Sequence, residues 1–153
     1  MSTAKIKKIL LVEDNENDIE LTLNALQECR LSNEVHPVRD GAEALDYMYC
    51  RNAYKDRAEG VPAVILLDLK MPRVDGLEVL RTLKSDPDLR HVPIVMLTSS
   101  REEKDLVLGY DLGVNAFVVK PVDFSQFVQA IRNLGMFWAI INEPPPAKIK
   151  SPA

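Results

Sequence analysis

Acidic, hydroxyl and basic side chains stand at the ends of four short apolar runs in this sequence. They are Glu13 and Asp14 after IKKILLV, Asp68 at the end of AVILLD, Thr98 after PIVML, and Lys120 after AFVV. Close carboxylates raise each other's pKa unless a cation lies among them, and their oxygens suit Mg²⁺, which binds carboxylates together with phosphate oxygens. A carboxylate beside Mg²⁺ can attack phosphorus and form an acyl phosphate. Thr98 would then donate to one phosphoryl oxygen and Lys120 would neutralise another, so the indicated chemistry is phosphoryl transfer.

Each of these residues also has an ordinary explanation when it is taken alone. Asp14 or its neighbour Asn15 is a suitable helix N-cap, and Thr98 can cap a following helix. Asp68 fits a turn, and Lys120 fits a solvated loop. Caps and turns do not explain why all of these residues should meet at one place, and whether they meet depends on the fold.

Apolar runs alternate with amphipathic stretches along the whole chain. The predicted strands are 6–12, 35–38, 63–67, 94–97 and 116–119. The helical patterns between them contain Ile19, Leu23 and Leu26, then Ala44, Leu45 and Met48 after the cap Asp40, then residues 77–84, then 102–112, and finally a helix that starts near Phe124. Residues 51–62 read as a polar loop, and Pro37 makes 35–38 an edge strand. Five βα units predict an α/β fold with a doubly wound parallel sheet, in which ligands bind beyond the carboxyl ends of the strands.

The composition limits the class of protein. The 153 residues are 46% hydrophobic and 27% charged, which is typical of one globular domain. The net charge of −4, from 19 basic and 23 acidic residues, argues against nucleic-acid binding. No apolar run approaches the ~18 residues of a membrane span, the start MSTAKIKK lacks an apolar signal segment, and Cys29 and Cys50 lack the spacing of a zinc or disulfide site. We therefore expect a cytoplasmic protein with neither a nucleic-acid nor a membrane partner.

The last predicted helix changes character along its length. Its first part has an apolar stripe that is expected to face the sheet, formed by Phe124, Phe127, Val128, Ile131 and Leu134. From residue 136 the sequence reads MFWAII, which is apolar on every side and therefore needs a cover. This segment can fold back on its own domain, but a twofold homodimer is the stronger interpretation. The predicted interface consists of Met136, Phe137, Trp138, Ile140 and Ile141.

Four segments, in order, resemble the motifs of the receiver domains of two-component response regulators. ILLVEDN is similar to the acidic-pair motif, VILLDLKMPRVDGLEVL to the phosphoacceptor segment, PIVMLTSS to the hydroxyl segment and GVNAFVVKP to the lysine–proline segment. The resemblance covers about residues 6–135. It implies the flavodoxin-like receiver fold with the sheet order 2-1-3-4-5.

The resemblance assigns a role to each residue that matches the family's phosphorylation site. Asp68 would accept a phosphoryl group from a phosphohistidine on a sensor histidine kinase. Mg²⁺ would be held by the carboxylates of Glu13, Asp14 and Asp68 and by the backbone carbonyl of Lys70. The side chains of Lys70 and Ser100 match positions that tune the lifetime of the phosphate, in a direction that the residue types do not give.

Other residues match positions that respond to the phosphate. Thr98 and Lys120 would contact the phosphoryl group, and the peptide bond between Lys120 and Pro121 is expected to be cis. Phe117 falls at the aromatic switch position, where the ring follows the inward movement of the hydroxyl residue. Taken alone, Phe117 is also an ordinary strand residue that packs under the last helices.

The polar loop 51–62 and the ending FWAIIN-EPPP resemble a narrower group, the single-domain regulators that are paired with phytochrome-type histidine kinases. That group dimerises through its C-terminal extension. We therefore expect a receiver domain over residues 1–142, including an extended last helix, and a proline-rich arm over residues 143–153 without an output domain. Such a protein is a signalling protein rather than an enzyme, although phosphotransfer and autodephosphorylation are self-catalysed.

Three other classes of protein share parts of this pattern. An aspartyl-nucleophile phosphatase needs a second acid two residues after the nucleophile, where this sequence has Lys70. A flavodoxin needs a glycine-rich phosphate loop after the first strand, where Glu13 and Asp14 would repel a phosphate. An unphosphorylated receiver-like module that acts through homodimerisation is the remaining alternative, although such modules typically lack an acid, the hydroxyl or the lysine.

Overall fold

A parallel five-stranded sheet forms the centre of the protein. The computed structural model describes residues 8–28, 35–58, 60–71, 73–99, 114 and 116–133. The strands are β1 (Ile9–Val12), β2 (Val35–Val38), β3 (Val64–Asp68), β4 (Ile94–Thr98) and β5 (Ala116–Val119). All neighbouring strands are parallel, and their order is β2-β1-β3-β4-β5. The predicted fold class and strand order are confirmed, and the proline-containing strand lies at an edge.

Helices follow the strands as the βα pattern predicts. In the described residues they are α1 (Glu16–Gln27), α2 (Gly41–Tyr49), α3 (Gly76–Lys84) and α4 (Phe124–Asn133), with a 3₁₀ helix (Asn52–Tyr54) inside the predicted loop 51–62. The predicted helix 102–112, the predicted interface 136–141 and the arm 143–153 lie outside the described residues. Within the described part of the chain, none of the helices has the length and apolar character needed to cross a membrane.

Both faces of the sheet are covered by helices. Successive residues of a strand point to opposite faces, so a sheet that is covered on both sides needs apolar residues at every position. On one face, Leu66 belongs to a buried cluster with Leu26 of α1 and Phe127 of α4. On the other face, Leu67 belongs to a cluster with Leu80 of α3. This two-sided burial explains the continuous apolar runs of the sequence.

Each of the first three helices begins with a side chain that caps its N-terminus. Oδ1 of Asn15 accepts a hydrogen bond from the backbone N–H of Asp18 at 2.9 Å. Asp40 and Asp75 cap α2 and α3 in the same way. The alternative between Asp14 and Asn15 is therefore resolved in favour of Asn15. The carboxylate of Asp14 is not used as the cap of α1, and it remains available at the end of β1.

The apolar stripe of α4 differs from the prediction at its first residue. Phe127 and Ile131 are fully buried, as expected, and Ala130 joins them. Phe124, which was expected to face the sheet, is 39% exposed. Side chains of a helix point back toward its N-terminus, so the side chain of the first residue extends beyond the packed part of the helix. The spacing identified the correct face, but it did not show where the packing begins.

Candidate functional site

The carboxyl ends of β1, β3, β4 and β5 bring the predicted residues to one edge of the sheet. Glu13 directly follows β1, and its backbone N–H donates to the carbonyl of Val38 at 3.0 Å. Asp68 is the last residue of β3, and Thr98 is the last residue of β4. The N–H of Lys120 donates to the carbonyl of Thr98 at 2.7 Å, which extends the pairing of β4 and β5 by one step.

Three carboxylates form an oxygen cluster at this edge. One oxygen from each of Glu13, Asp14 and Asp68 lies within 4.8 Å of the other two. Glu13 is fully buried and Asp68 is 4% exposed, whereas Asp14 is exposed. Hard oxygen donors beside an open rim fit Mg²⁺, which retains several waters and binds through one or two carboxylates and substrate phosphate. The donor set therefore fits the predicted metal.

Lys120 supplies the positive charge of this pocket. Its Nζ lies 3.3 Å from a carboxylate oxygen of Glu13 and 3.2 Å from one of Asp68. A third carboxylate, that of Asp18, is also 3.2 Å from Nζ. The lysine side chain is only 15% exposed. An ammonium group has three N–H donors, which matches the three carboxylate partners of Lys120. Because the lysine is largely buried and paired, the alternative of a solvated loop lysine is wrong.

Burial and mutual repulsion change the pKa values of the groups in the pocket. Burial, followed by the negative charge of Asp68, raises the pKa of Glu13 to about 7, although Lys120 acts in the opposite direction. Burial also raises the pKa of Asp68, against the lowering effect of Lys120. Burial alone would lower the pKa of Lys120, but the charges of Asp68 and Glu13 and its hydrogen bonds outweigh burial and raise it. The carboxylates of Glu13, Asp14 and Asp68 outnumber the ammonium group of Lys120, so a bound cation would relieve their mutual repulsion.

The hydroxyl group of Thr98 has an unusual position for a polar group. Thr98 is fully buried at the end of β4, between the strand that carries Asp68 and the strand that leads to Lys120. Among the described residues, its Oγ1 is the buried side-chain atom without a hydrogen-bond partner. Such a group costs about 1–3 kcal/mol relative to a satisfied one. A phosphoryl oxygen on Asp68 would give this hydroxyl an acceptor.

The structure also locates the remaining predicted residues. The peptide bond between Lys120 and Pro121 is cis, as the resemblance implied. Phe117 is half-buried and packs against the cluster under α2 and α3, not against the α4 cluster. The alternative that Phe117 is an ordinary strand residue packed under the last helices does not hold for α4, because alternation along β5 directs Ala116 and Val118 to that face instead. The other of these helices, predicted over 102–112, lies outside the described residues. Lys70 is exposed, and Ser100 lies outside the described residues.

Sequence reasoning missed one member of the pocket. Asp18 lies in the first turn of α1, and its carboxylate contacts Lys120 although the two residues are far apart in the chain. The available signal was its spacing, because Asp18 follows Asp14 by about one helical turn at the start of a helix that begins beside the site. Acidic residues are common in the first turn of a helix because they interact favourably with the helix dipole, so this spacing was only a weak sign that Asp18 belongs to the pocket.

The loop after Asp68 is held in place by a backbone hydrogen bond and by an ion pair. The N–H of Gly76 donates to the carbonyl of Leu69 at 2.9 Å. Arg73 adopts a left-handed backbone conformation, with φ of 66°. Its guanidinium makes two hydrogen bonds of 2.9 Å to the carboxylate of Asp40, the cap of α2. These contacts connect the loop that follows the candidate nucleophile to two helices.

In the absence of metal, the free energy of unfolding should fall as the pH rises from 4.5 to about 7, because the pKa of Glu13 moves between these values on folding. The folded protein binds this proton more tightly than the unfolded chain, so the stabilisation is fully present below the unfolded pKa and is lost as the pH rises through the folded pKa. The shift corresponds to about 3 kcal/mol.

Urea unfolding in EDTA at about pH 5 and about pH 8 measures this dependence, with Glu13→Gln as the control that removes the titrating group. The wild type should lose more stability than the control over this interval. Mg²⁺ should reduce the difference, because a bound cation favours the carboxylate form. Equal slopes for wild type and Glu13→Gln in EDTA would contradict the assignment.

Comparisons with known proteins agree with this fold and site. The family model described as the response regulator receiver domain matches residues 9–132. Response regulator Rcp1 of Synechocystis sp. is 35% identical over 132 residues, which cover 86% of this chain and 88% of Rcp1. The chain therefore belongs to the response regulator receiver family, the signalling proteins of two-component systems.

Solved structures give the same result. The bacteriophytochrome response regulator AtBRR is 63% identical, with a TM-score of 0.86, and the match covers 92% of this chain and 100% of AtBRR. The bacteriophytochrome response regulator RtBRR is 61% identical, with a TM-score of 0.85, over 95% of this chain and 87% of RtBRR. The Mn²⁺-bound form of Rcp1 is 33% identical, with a TM-score of 0.68, over 96% of this chain and 99% of Rcp1.

These similarities bear out the central predictions from sequence. The protein is a response regulator related to regulators that are named for phytochromes, and it has the receiver fold of a phosphoryl acceptor. The family and the acidic cluster of Glu13, Asp14 and Asp68 confirm the predicted Mg²⁺ cofactor. Histidine kinases are the partners of receiver domains as a class. The individual roles of the site residues remain predictions.

Proposed function

We propose that this protein is a single-domain response regulator in which Asp68 accepts a phosphoryl group from the phosphohistidine of a sensor histidine kinase. One observation carries the proposal. The buried carboxylate of Asp68 lies 3.2 Å from Nζ of Lys120 and within 4.8 Å of oxygens of Glu13 and Asp14. A nucleophile, a metal-ligand set and a fixed cation thus share one pocket.

The transfer itself requires one bond to form and one to break. An oxygen of Asp68 attacks phosphorus, the new P–O bond forms as the P–N bond of the phosphohistidine breaks, and the electron pair of that bond goes to the imidazole, which takes up a proton from water. Mg²⁺, when bound by Glu13, Asp14, Asp68 and the carbonyl of Lys70, supplies charge compensation for the phosphoryl oxygens. In-line placement and charge compensation are the main requirements of such a transfer.

The protein's own side chains hold the phosphoryl group after transfer. Lys120 donates to one phosphoryl oxygen, and Thr98 donates its otherwise unpaired hydroxyl to another. Lys70 lies two residues beyond Asp68 at the exposed rim, where its side chain, together with that of Ser100, influences how readily water attacks the acyl phosphate. The protein is therefore a phosphoacceptor that catalyses its own phosphorylation and dephosphorylation, and it is not an enzyme with a separate substrate.

Phosphorylation changes the face of the domain around β5. As Thr98 turns toward the phosphoryl group, it vacates space near the end of β4, and the half-buried ring of Phe117 moves inward. The face formed by β5, α4 and the helix predicted over residues 102–112 then differs between the two states. A surface that differs between two states is what allows a partner to distinguish them.

The kinase is proposed to be of the phytochrome type, and the pathway to be light-sensing. The support is the similarity to AtBRR and RtBRR, both described as bacteriophytochrome response regulators, over nearly the whole chain. A cytoplasmic location accompanies this proposal, because histidine kinases draw their phosphoryl group from intracellular ATP. No nucleic-acid or membrane partner is included, in keeping with the net charge of −4.

Two copies of the chain are proposed to associate through the C-terminal segment. The support comes from the sequence, whose pattern predicts a helix that is apolar on every side, with the interface residues Met136, Phe137, Trp138, Ile140 and Ile141. Light scattering at micromolar concentration should therefore report a dimer, and Trp138→Asp should give a monomer with an intact fold. A wild-type monomer would contradict the interface.

The phosphoacceptor proposal is tested by incubation of the wild type with acetyl phosphate, with Mg²⁺ or with EDTA, followed by intact-mass measurement. The expected result is the addition of one phosphoryl group in Mg²⁺ and none in EDTA. A protein that stays unmodified in Mg²⁺ would favour the alternative, in which an unphosphorylated receiver-like module acts through homodimerisation. Metal-independent labelling would overturn the role of the acidic cluster.

A further inference from the structure

Lys120 has one carboxylate partner that neither the metal nor the phosphoryl group would engage. Its Nζ contacts Glu13, Asp68 and Asp18 at 3.3, 3.2 and 3.2 Å. Glu13 and Asp68 belong to the oxygen cluster that fits the cation, and Asp68 is also the proposed nucleophile. Both of these carboxylates change their environment when metal and phosphoryl group arrive. The carboxylate of Asp18 is the partner that can stay with Lys120 throughout.

Asp18 is held firmly enough to serve as such a partner. Its backbone N–H donates to Oδ1 of Asn15 at 2.9 Å. The backbone N–H of Asn15 in turn donates to Oε2 of Glu13 at 3.2 Å. Hydrogen bonds through Asn15 therefore connect Glu13, at the end of β1, to Asp18, in the first turn of α1, and both carboxylates face the lysine. The N-terminal end of a helix also stabilises the negative charge of a carboxylate in its first turn.

We propose that Asp18 is a positioning residue that anchors the ammonium group of Lys120 and thereby accelerates phosphorylation of Asp68. This inference rests on the proposed function and concerns the same site. An ammonium on a flexible four-carbon stem has many orientations, and a fixed acceptor on its outer side directs the remaining N–H groups toward the pocket. Fixed orientation of a charged group before the reaction contributes to the rate, because the group does not have to be ordered during the transfer.

The charge of Asp18 also has a second effect, which lowers the rate of phosphorylation and so opposes the first. A fourth carboxylate near the pocket repels an anionic phosphodonor, so neutralising it would accelerate phosphorylation if charge alone mattered. Glu16 provides the matched control for this effect. It lies in the same turn of α1, and its carboxylate pairs with Arg39 rather than with Lys120. Glu16→Gln removes the same charge from the same helix end without touching the lysine.

Initial rates of phosphorylation by acetyl phosphate in saturating Mg²⁺ test the proposal. Asp18→Asn should be slower than the wild type by about tenfold, and Glu16→Gln should stay within about twofold. In a Lys120→Met background, Asp18→Asn should cause no further slowing, because it acts through the lysine. An Asp18→Asn protein as fast as Glu16→Gln, or an equal slowing without Lys120, would overturn the proposal.

A second measurement does not depend on phosphorylation. A short pulse of acetic anhydride, without phosphodonor or Mg²⁺, labels each lysine at a rate that depends on the accessibility and protonation of its amine. Peptide mass spectrometry resolves each site. Lys120 should react several-fold faster in Asp18→Asn than in wild type and in Glu16→Gln, while Lys84 should be unchanged. Equal labelling of Lys120 in all three proteins would show that Asp18 does not hold it.

The two measurements separate the possible failures. If the wild type takes up no phosphoryl group, the proposed function fails, whereas the labelling still reports on the contact between Asp18 and Lys120. If the wild type is phosphorylated and Asp18→Asn matches Glu16→Gln in rate, only the positioning role fails. Urea unfolding of each variant verifies that slow phosphorylation is not caused by loss of the fold.

Discussion

Asp68→Asn should remain folded and should take up no phosphoryl group from acetyl phosphate in Mg²⁺. The amide has the shape of the carboxylate but lacks the negatively charged oxygen that attacks phosphorus. Burial raises the pKa of Asp68, so its charged form is costly to hold in the folded protein, and a neutral amide avoids this cost. Lys120 keeps Glu13 and Asp18 as partners. The loss of phosphorylation should therefore occur without a loss of stability.

Intact-mass spectrometry and urea unfolding of the same samples test this expectation. The rate of phosphorylation should fall by at least about a thousandfold, which is typical for removal of a nucleophile. The control is Asp88→Asn, which changes an exposed aspartate away from the pocket and should be phosphorylated like the wild type. Persistent phosphorylation of folded Asp68→Asn would show that another residue is the acceptor.

Gly76→Ala should strongly destabilise the protein, although the same change at an ordinary helix position stabilises by about 1 kcal/mol. A Cβ at residue 76 would lie 2.2 Å from the backbone oxygen of Asp68 and 2.9 Å from Cα of Leu69. Both atoms belong to the backbone, so neither can rotate away. We expect a loss of at least about 3 kcal/mol, because the start of α3 must move away from the end of β3.

Urea unfolding measures this loss, and Glu78→Ala is the control. Glu78 lies in the first turn of the same helix with its residue exposed, and its replacement should change the free energy of unfolding by no more than about 0.5 kcal/mol. Any Gly76→Ala protein that folds should also be phosphorylated more slowly, because the displaced backbone carries Asp68. A Gly76→Ala protein as stable as the control would contradict the packing described for this turn.

The sequence was sufficient to predict the sheet and most of the pocket, and the reason is physical. In a doubly wound sheet every strand is buried on both faces, so strands appear as short continuous apolar runs whose ends are easy to locate. Glu13, Asp68 and Thr98 each follow such a run directly, and parallel strands deliver their carboxyl ends to one edge. Convergence of these residues therefore follows from topology alone.

Contacts that depend on exact tertiary distances could not be predicted in this way. The approach of Asp18 to Lys120 depends on where α1 begins relative to β5, and the cap at Asn15 decides this position. The contact of Gly76 with the backbone of Asp68 depends on the path of the intervening loop. Phe124 has correct helical spacing but lies beyond the packed region. Periodicity identifies which face of a helix is apolar, but it does not show how far along the helix that face is packed against the sheet.

Chemical mapping of the phosphorylated residue tests the central claim most directly. Borohydride reduces the acyl phosphate of an aspartate to homoserine, so the wild type is treated with acetyl phosphate and Mg²⁺, reduced, digested and sequenced by mass spectrometry. We expect homoserine at residue 68 and at no other aspartate, and none when EDTA replaces Mg²⁺. Homoserine at Asp14 or Asp18, or a phosphoryl group that resists reduction because it is bound to a hydroxyl or an imidazole, would contradict the account.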